Sequence, residues 1–337
     1  MKFLRVPKTD AEVTKSMLVS HGALDYATKA QSDESYVYFP IKEGAAVDDL
    51  DYPLIERDGL KKQPQTNLKE ALAKKLSPEE QASLKTAYDL IGDIAIIEVD
   101  AKLQKKATLI AQTLLTLFPN IKAVYQKGKH EGPYRTQTLK HLAGEKRKET
   151  IHKENGVLLK LNVETVYFSP RLATERKRIA EQVEPGERVL VMFSGCAPYP
   201  CVIAKLAKPS EVIGIELNPQ GHQFGLENVS LNKLQHVHLI QGDVRDKAPL
   251  LEGCFDRIVM PLPKAAETYL DVALPKIVQG GIIHLYQFVK EEMLHSRGEE
   301  LKQAIKKEGF DASLLSAELC GQHAPGTFRV CYDIQIV

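Results

Sequence analysis

Apolar positions change their period along the chain. Between Asp10 and Gly22, Val13, Met17 and Leu18 recur at helical spacing, and Gly22 stands where a helix would stop. Tyr36–Pro40 follows as an aromatic and β-branched run closed by proline, which predicts a strand. Residues 58–65 are polar, include Gly59 and Pro64, and have no period, so they read as a linker. Leu68–Leu90 reads as helix-rich and Ile94–Val99 as a short buried strand. Leu103, Ala107, Ile110, Leu114 and Leu117 place a helix across 101–118.

From about residue 166 short apolar runs alternate with helical stretches. Residues 188–193, 211–216, 236–240, 255–260 and 281–286 read as strands. Near-continuous apolar strands separated by helices imply a parallel sheet covered on both faces. The expected fold class is α/β: a doubly wound, mostly parallel Rossmann-like domain at 166–337. Two smaller α+β domains, at 1–60 and 66–165, are expected to precede it.

Composition narrows the class without naming it. The chain has 337 residues, 43% hydrophobic and 26% charged, as in ordinary globular proteins. Lys and Arg number 45 against 44 Asp and Glu, so any surface for a polyanion must be local. Five cysteines, never spaced as Cys-x-x-Cys, argue against a disulfide scaffold or zinc ribbon and predict a cytoplasmic protein. The N-terminus lacks the apolar core of a signal peptide, and no apolar run approaches a membrane span.

The local polyanion surface has a candidate. Between Lys122 and Lys153, nine Lys or Arg face three Glu, a local excess of six positive charges. A charge run is ordinarily a solvated face. Here it also holds His130, Tyr134, His141 and several glycines, which suits a loop surface that touches phosphates.

Ligands of doubly wound sheets bind at the C-terminal strand edge. Ser194 and Gly195 follow the first strand, Glu216 ends the second, Asp243 follows the third, and Pro261-Leu262-Pro263 follows the fourth. A glycine after a strand is often only a turn, and a strand-terminal acid often only a helix cap. Four such residues in order at successive strand ends point instead to a cofactor with a ribose. Phe193–Pro198 lacks the Gly-x-Gly-x-x-Gly of dinucleotide binders, which favours S-adenosylmethionine. His236 and His238 have no third ligand nearby, so no metal is predicted; Cys196 and Cys201 fit a buried helix start.

These residues, with Tyr167-Phe168-Ser169-Pro170-Arg171…Glu175-Arg176 upstream, resemble the tRNA (guanine-37-N1)-methyltransferases of archaea and eukaryotes. Glu216-Leu217-Asn218-Pro219, Ile151–Gly156, Tyr134-Arg135 and Ala143–Glu145 are similar to the same family. The likeness runs from about residue 90 to the C-terminus, and 1–58 resembles the small N-terminal domain of archaeal members. It implies a class I methyltransferase fold, S-adenosylmethionine as cofactor, and tRNA as partner through its anticodon loop and elbow. A monomer is expected, with no DNA or membrane partner.

By the same resemblance, Arg135 matches the catalytic arginine and Glu175 the general base. Tyr167, Arg171, Phe193, Gly195, Glu216 and Asp243 fall on cofactor positions, which we extend to Leu217, Val244, Pro261 and Pro263. Arg135, Arg176, Asn218, Lys146 and Arg147 are the expected tRNA contacts. Three residues depart from the family: Val191 stands for Asp, Ala197 for a second glycine, and Pro261 for Asn. They leave three alternatives to N1 methylation of guanosine 37. These are methyl transfer to carbon 7 of the tricyclic wyosine precursor, aminocarboxypropyl transfer, and a tRNA-binding homologue without catalysis.

Overall fold

The computed structural model describes residues 1–47, 50–61, 67–132, 134 and 136–337. These form two compact units, Met1–Glu70 and Ala71–Val337. In the first, Lys2–Pro7 pairs antiparallel with Tyr36–Pro40 and with Leu54–Glu56, and Gln31–Ser32 adds an outer strand. Leu4 and Val6 alternate inward onto Phe39 and Leu18. The helix Ala11–Ser20 buries Thr14 and Leu18, one turn apart, while Val13 and Met17 are exposed. That differs from the sequence expectation: Val13 and Met17 form a stripe beside the one that meets the sheet.

The larger unit begins with short helices, Pro78–Ala82 among them, rather than a helix-rich block up to residue 90. A four-stranded sheet follows, ordered Tyr88–Ile91, Ile94–Ile97, Ala123–Glu131, Thr136–Gly144. Glu149–Glu154 and Val157–Asn162 make a separate hairpin. The basic stretch is thus largely strand, not loop. Ala123, Tyr125 and Leu139 alternate into a core with Leu161 and Val163, which leaves Lys129 and Lys140 at the surface.

The remaining chain builds a seven-stranded sheet. Its strands are β1 (Arg188–Met192), β2 (Glu211–Glu216), β3 (Val237–Gln241), β4 (Phe255–Met260), β5 (Ile277–Lys290), β6 (Ala312–Ala324) and β7 (Thr327–Ile336). The order is β3-β2-β1-β4-β5-β7-β6. The first five strands are parallel, and β7 inserts antiparallel between β5 and β6. The order reverses between β1 and β4, which opens a crevice at their C-terminal ends.

Every residue from Val189 to Met192 is buried because both faces of β1 are covered. Leu190 and Met192 pack with β4 and β5 side chains, and Val189 and Val191 with Tyr199, Val202 and Tyr286. Val191 therefore sits in an apolar core that suits it. Helices α1 (Ala173–Gln182), α2 (Pro198–Leu206) and α3 (Pro219–Leu231) complete the surroundings of the crevice. Among the described residues no helix is long and apolar enough to cross a membrane.

Candidate active site

The turn between β1 and α2 is built on left-handed backbone. Phe193, Gly195 and Ala197 have φ of 62°, 58° and 62°. Left-handed backbone costs an L-residue roughly 1–2 kcal/mol, so two of the three are strained. Surrounding bonds hold them. Ser194 N–H donates to Ile215 O at 2.8 Å, and Ala197 N–H to Ser194 O at 2.9 Å. A Cβ on Gly195 would meet nothing nearer than Tyr167 O at 3.7 Å, so conformation rather than space selects glycine there.

Glu216 closes this turn from β2. Its Oε2 accepts the Gly195 N–H at 2.5 Å and its Oε1 the Asn218 N–H at 2.7 Å. Burial raises its pKa above the ordinary 4.5, and the backbone N–H groups pull the other way. Asn218 caps α3 by accepting the Gln220 N–H at 3.0 Å, and its amide donates to Thr165 O at 2.8 Å. Asp243 caps Val244–Lys247 by accepting the Arg245 N–H at 2.8 Å.

These residues surround one cavity of about 150 Å³. Of the sequence-predicted cofactor residues, it brings together Tyr167, Phe193, Gly195, Glu216, Leu217, Asp243, Val244 and Pro261, and Asn218 joins them. Tyr269, which sequence reasoning missed, stands edge-on to Phe193 with ring centroids 4.8 Å apart. It lies in the irregular connection after β4, where no periodicity marks it. The cavity thus has carboxylates at two strand ends and an aromatic wall of Tyr167, Phe193 and Tyr269. The lining residues fit an adenosyl group: carboxylates can accept from ribose hydroxyls and an adenine amine, and aromatic rings can face a sulfonium.

Other predicted residues lie elsewhere. Pro263 is buried and does not line the cavity; its carbonyl accepts the Phe288 N–H at 3.3 Å. Arg171 pairs with Asp89 at 2.8 Å on the rim of a second cavity. Arg176 is 1% exposed and clamps both oxygens of Glu154 at 2.5 Å, which ties α1 to the hairpin. Its guanidinium is thereby taken up inside the protein. Arg147 pairs with Asp93 and Glu145 at 2.5 and 2.6 Å, whereas Lys146 is exposed. Arg135 lies outside the described residues; its neighbour Tyr134 lines the cofactor cavity.

Glu175 is buried in a network that no local motif announces. Its carboxylate accepts from Arg178 Nε and Nη2, both at 2.8 Å, and from the Tyr286 hydroxyl at 2.6 Å. Arg178 also bonds Asp333 at 2.6 Å, and Asp333 pairs with the fully buried His284 at 2.7 Å. Burial would raise Asp333, but hydrogen bonds from His284 and Arg178 outweigh it and hold the carboxyl far below its usual range. Burial depresses His284 towards its neutral form. His284, Cys331 and Asp333 place ligand atoms within 4.8 Å of one another, but Asp333 is already engaged by Arg178.

Comparison with known proteins shows the family to which the chain belongs. Residues 150–314 match the TRM5/TYW2 methyltransferase domain, 68–147 the TYW2 N-terminal domain, and 4–49 the tRNA methyltransferase 5 N-terminal domain. The chain is 35% identical to the tRNA (guanine(37)-N(1))-methyltransferase Trm5b of Pyrococcus abyssi, over 99% of this chain and 98% of the relative. The crystal structure of that protein superposes with a TM-score of 0.74, covering 100% of this chain and 99% of the other. A complex of aTrm5 with tRNALeu gives 0.71 at 27% identity, covering all of both chains. Methanocaldococcus jannaschii Trm5 in complex with adenosine gives 0.66 at 28% identity, covering 100% and 99%.

Proposed function

The chain belongs to the TRM5/TYW2 methyltransferase family, and on that premise we propose that it methylates N1 of guanosine 37 in tRNA. The methyl donor is S-adenosylmethionine. The observation that carries this reading is the cavity in which Gly195, Glu216 and Asp243 meet at the strand-order reversal. Glu216 would hold the ribose hydroxyls, and Asp243 with the Val244 N–H the adenine edge. Phe193, Leu217 and Tyr269 would enclose the ring system, with Tyr167 and Pro261 at the sulfonium end. When bound, the cofactor supplies an electrophilic methyl group; the protein's work is to hold the acceptor atom in line with it.

Guanine N1 carries a proton at neutral pH and becomes a nucleophile as that proton leaves. Glu175 is assigned as the acceptor of the proton, and Arg135 as the cation that stabilises charge growing on O6. Arg178 and Tyr286 orient the Glu175 carboxylate. Domains are assigned as 1–60 for the tRNA elbow, 66–165 with its basic segment for further tRNA contact, and 166–337 for catalysis, in a cytoplasmic monomer.

A second reading, methylation of carbon 7 of the tricyclic wyosine precursor, rests on Pro261. This residue lines the cavity where the family has an asparagine, and it presents no N–H or amide to a guanine edge. The two readings separate in one assay with labelled S-adenosylmethionine. Transcripts carrying guanosine or adenosine at position 37 are compared with tRNA carrying the precursor. Label on the guanosine transcript alone supports N1 transfer; label on the precursor alone overturns it.

A further inference from the structure

Two walls of the cofactor cavity come from the segment after β3, with Asp243 and Val244, and from the connection after β4, with Pro261, Leu262 and Tyr269. Arg245 bonds both walls, yet it is exposed and does not itself line the cavity. Its backbone N–H donates to Asp243 Oδ1 at 2.8 Å. Its guanidinium crosses to the other wall. There Nη1 donates to Asp271 Oδ2 at 2.7 Å, Nη2 donates to Thr268 O, and the group lies over the Tyr269 ring, 4.6 Å from its centroid. Tyr269 in turn stands edge-on to Phe193. Two residues earlier the same connection has a separate anchor, because Glu267 pairs with Arg297 and accepts from the Gln287 amide at 3.1 Å. Loss of the Arg245 side chain would therefore free Tyr269 on a connection that stays attached.

We infer that Arg245 is a positioning residue for the cofactor: it latches the β4 connection to the segment after β3 and so sets Tyr269 as a wall of the adenosyl cavity. The inference rests on the reading of this cavity as the S-adenosylmethionine site. The cavity measures about 150 Å³, below the roughly 300 Å³ at which small-ligand sites begin, so a wall must part to admit the cofactor and close over it. The Ser194 and Gly242 N–H groups tie the turn after β1 and the end of β3 to the β2 backbone. Tyr269 instead ends the short turn Ala266–Tyr269 outside the sheet, with fewer such bonds to hold it. It is the wall that can move, and Arg245 fixes its closed position. Arg245 and Asp271 are both exposed, and an exposed ion pair adds little to global stability. The effect of Arg245 therefore falls on the wall and not on the fold.

The test measures binding of labelled S-adenosylmethionine to the full-length protein by equilibrium dialysis. Arg245→Ala is expected to weaken binding about 3- to 10-fold, the loss expected for a cation–π contact with a hydrogen bond. The thermal midpoint of the cofactor-free variant stays within about 3 °C of the wild type. Arg245→Lys keeps a cation over the ring and recovers part of the affinity. Because Arg245 acts through Tyr269, its replacement by Ala in a Tyr269→Ala background should change affinity less than about two-fold. Wild-type affinity in Arg245→Ala, or the same loss with and without the Tyr269 ring, overturns the inference. Weaker binding that follows a lower thermal midpoint and is not recovered by Arg245→Lys also overturns it, since Arg245 would then serve the fold alone. A wild-type protein that binds no S-adenosylmethionine overturns the cofactor reading itself, and the inference with it.

Discussion

Glu216 accepts the Gly195 N–H across 2.5 Å, which joins the end of β2 to the strained turn after β1. Only the ionised carboxylate offers all its lone pairs to that N–H, the Asn218 N–H and, in the proposed cofactor site, two ribose hydroxyls. Its pKa is raised by burial above 4.5. Cofactor affinity is therefore expected to fall as pH drops through the raised value, beginning above the ordinary carboxylate range. For stability the sign is opposite. The folded state binds this proton more readily, so the contribution of Glu216 declines as pH rises from 4.5 through the folded pKa. Equilibrium dialysis from neutral pH to about 5 checks the first statement. Glu216→Gln should flatten the profile and weaken binding about 10- to 100-fold, as for hydrogen bonds to a charged group.

Ala197 occupies a left-handed backbone position that glycine would adopt without strain, and its methyl is fully buried. Relief of the backbone strain, about 1–2 kcal/mol, is offset by loss of a buried methyl, about 0.8 kcal/mol. Ala197→Gly is expected to change unfolding free energy by no more than about 1 kcal/mol. Ala197→Val adds a β-branched side chain at φ 62° and should destabilise by more than about 2 kcal/mol. Urea unfolding of both variants measures this, and equal losses would show that the backbone there is not strained.

Glu175 has a structural role and, in the proposed reaction, a chemical one. As the proton acceptor, its replacement by Gln should lower the single-turnover rate about 10²- to 10⁴-fold and leave cofactor affinity unchanged. As a partner of Arg178, it also orients the guanidinium that ties α1 to β7 through Asp333. Removing one member of a buried pair can cost about 3–5 kcal/mol, and Asp333 retains part of that here. Tyr286→Phe removes the 2.6 Å hydrogen bond to Glu175 and the 3.0 Å one that the Tyr199 hydroxyl donates, and should lower the single-turnover rate more than the thermal midpoint. A Glu175→Gln protein of full activity would exclude it as the base.

Lys146 and Arg147 are adjacent in sequence and differ in engagement. Lys146 is exposed, and its replacement by Ala should reduce the salt dependence of tRNA binding by about one phosphate contact, a slope change of about 0.7–0.9. Arg147 is drawn into pairs with Asp93 and Glu145. Arg147→Ala is expected to lower thermal stability and change the salt slope less. Titrations of tRNA at three salt concentrations compare the two.

The strand-end chemistry was legible because a parallel sheet concentrates ligand contacts at one edge. Once 188–193, 211–216 and 255–260 read as strands, Gly195, Glu216 and Pro261 had to converge. What lay hidden depends on long-range contacts. Arg178 meets Asp333 across 155 positions, and no local pattern marks either as the setting of Glu175. The β6–β7 hairpin escaped because β6 breaks its own alternation with register shifts between Leu314 and Ser316 and between Leu319 and Gln322. Arg176 shows the converse error. A charged residue beside a catalytic motif reads as a substrate contact, yet here it balances the buried Glu154. In the basic segment, the weight of the charge obscured the alternation of Ala123, Tyr125 and Leu139 that makes it strand.

The identity of the methylated atom tests the central claim most directly. Transcript tRNA bearing guanosine 37 would be incubated with the protein and S-adenosylmethionine, digested to nucleosides, and resolved by liquid chromatography with mass spectrometry. The account predicts 1-methylguanosine, mapped to position 37 by fragment sequencing and absent when adenosine stands there. Cofactor binding with no 1-methylguanosine at that position would contradict it.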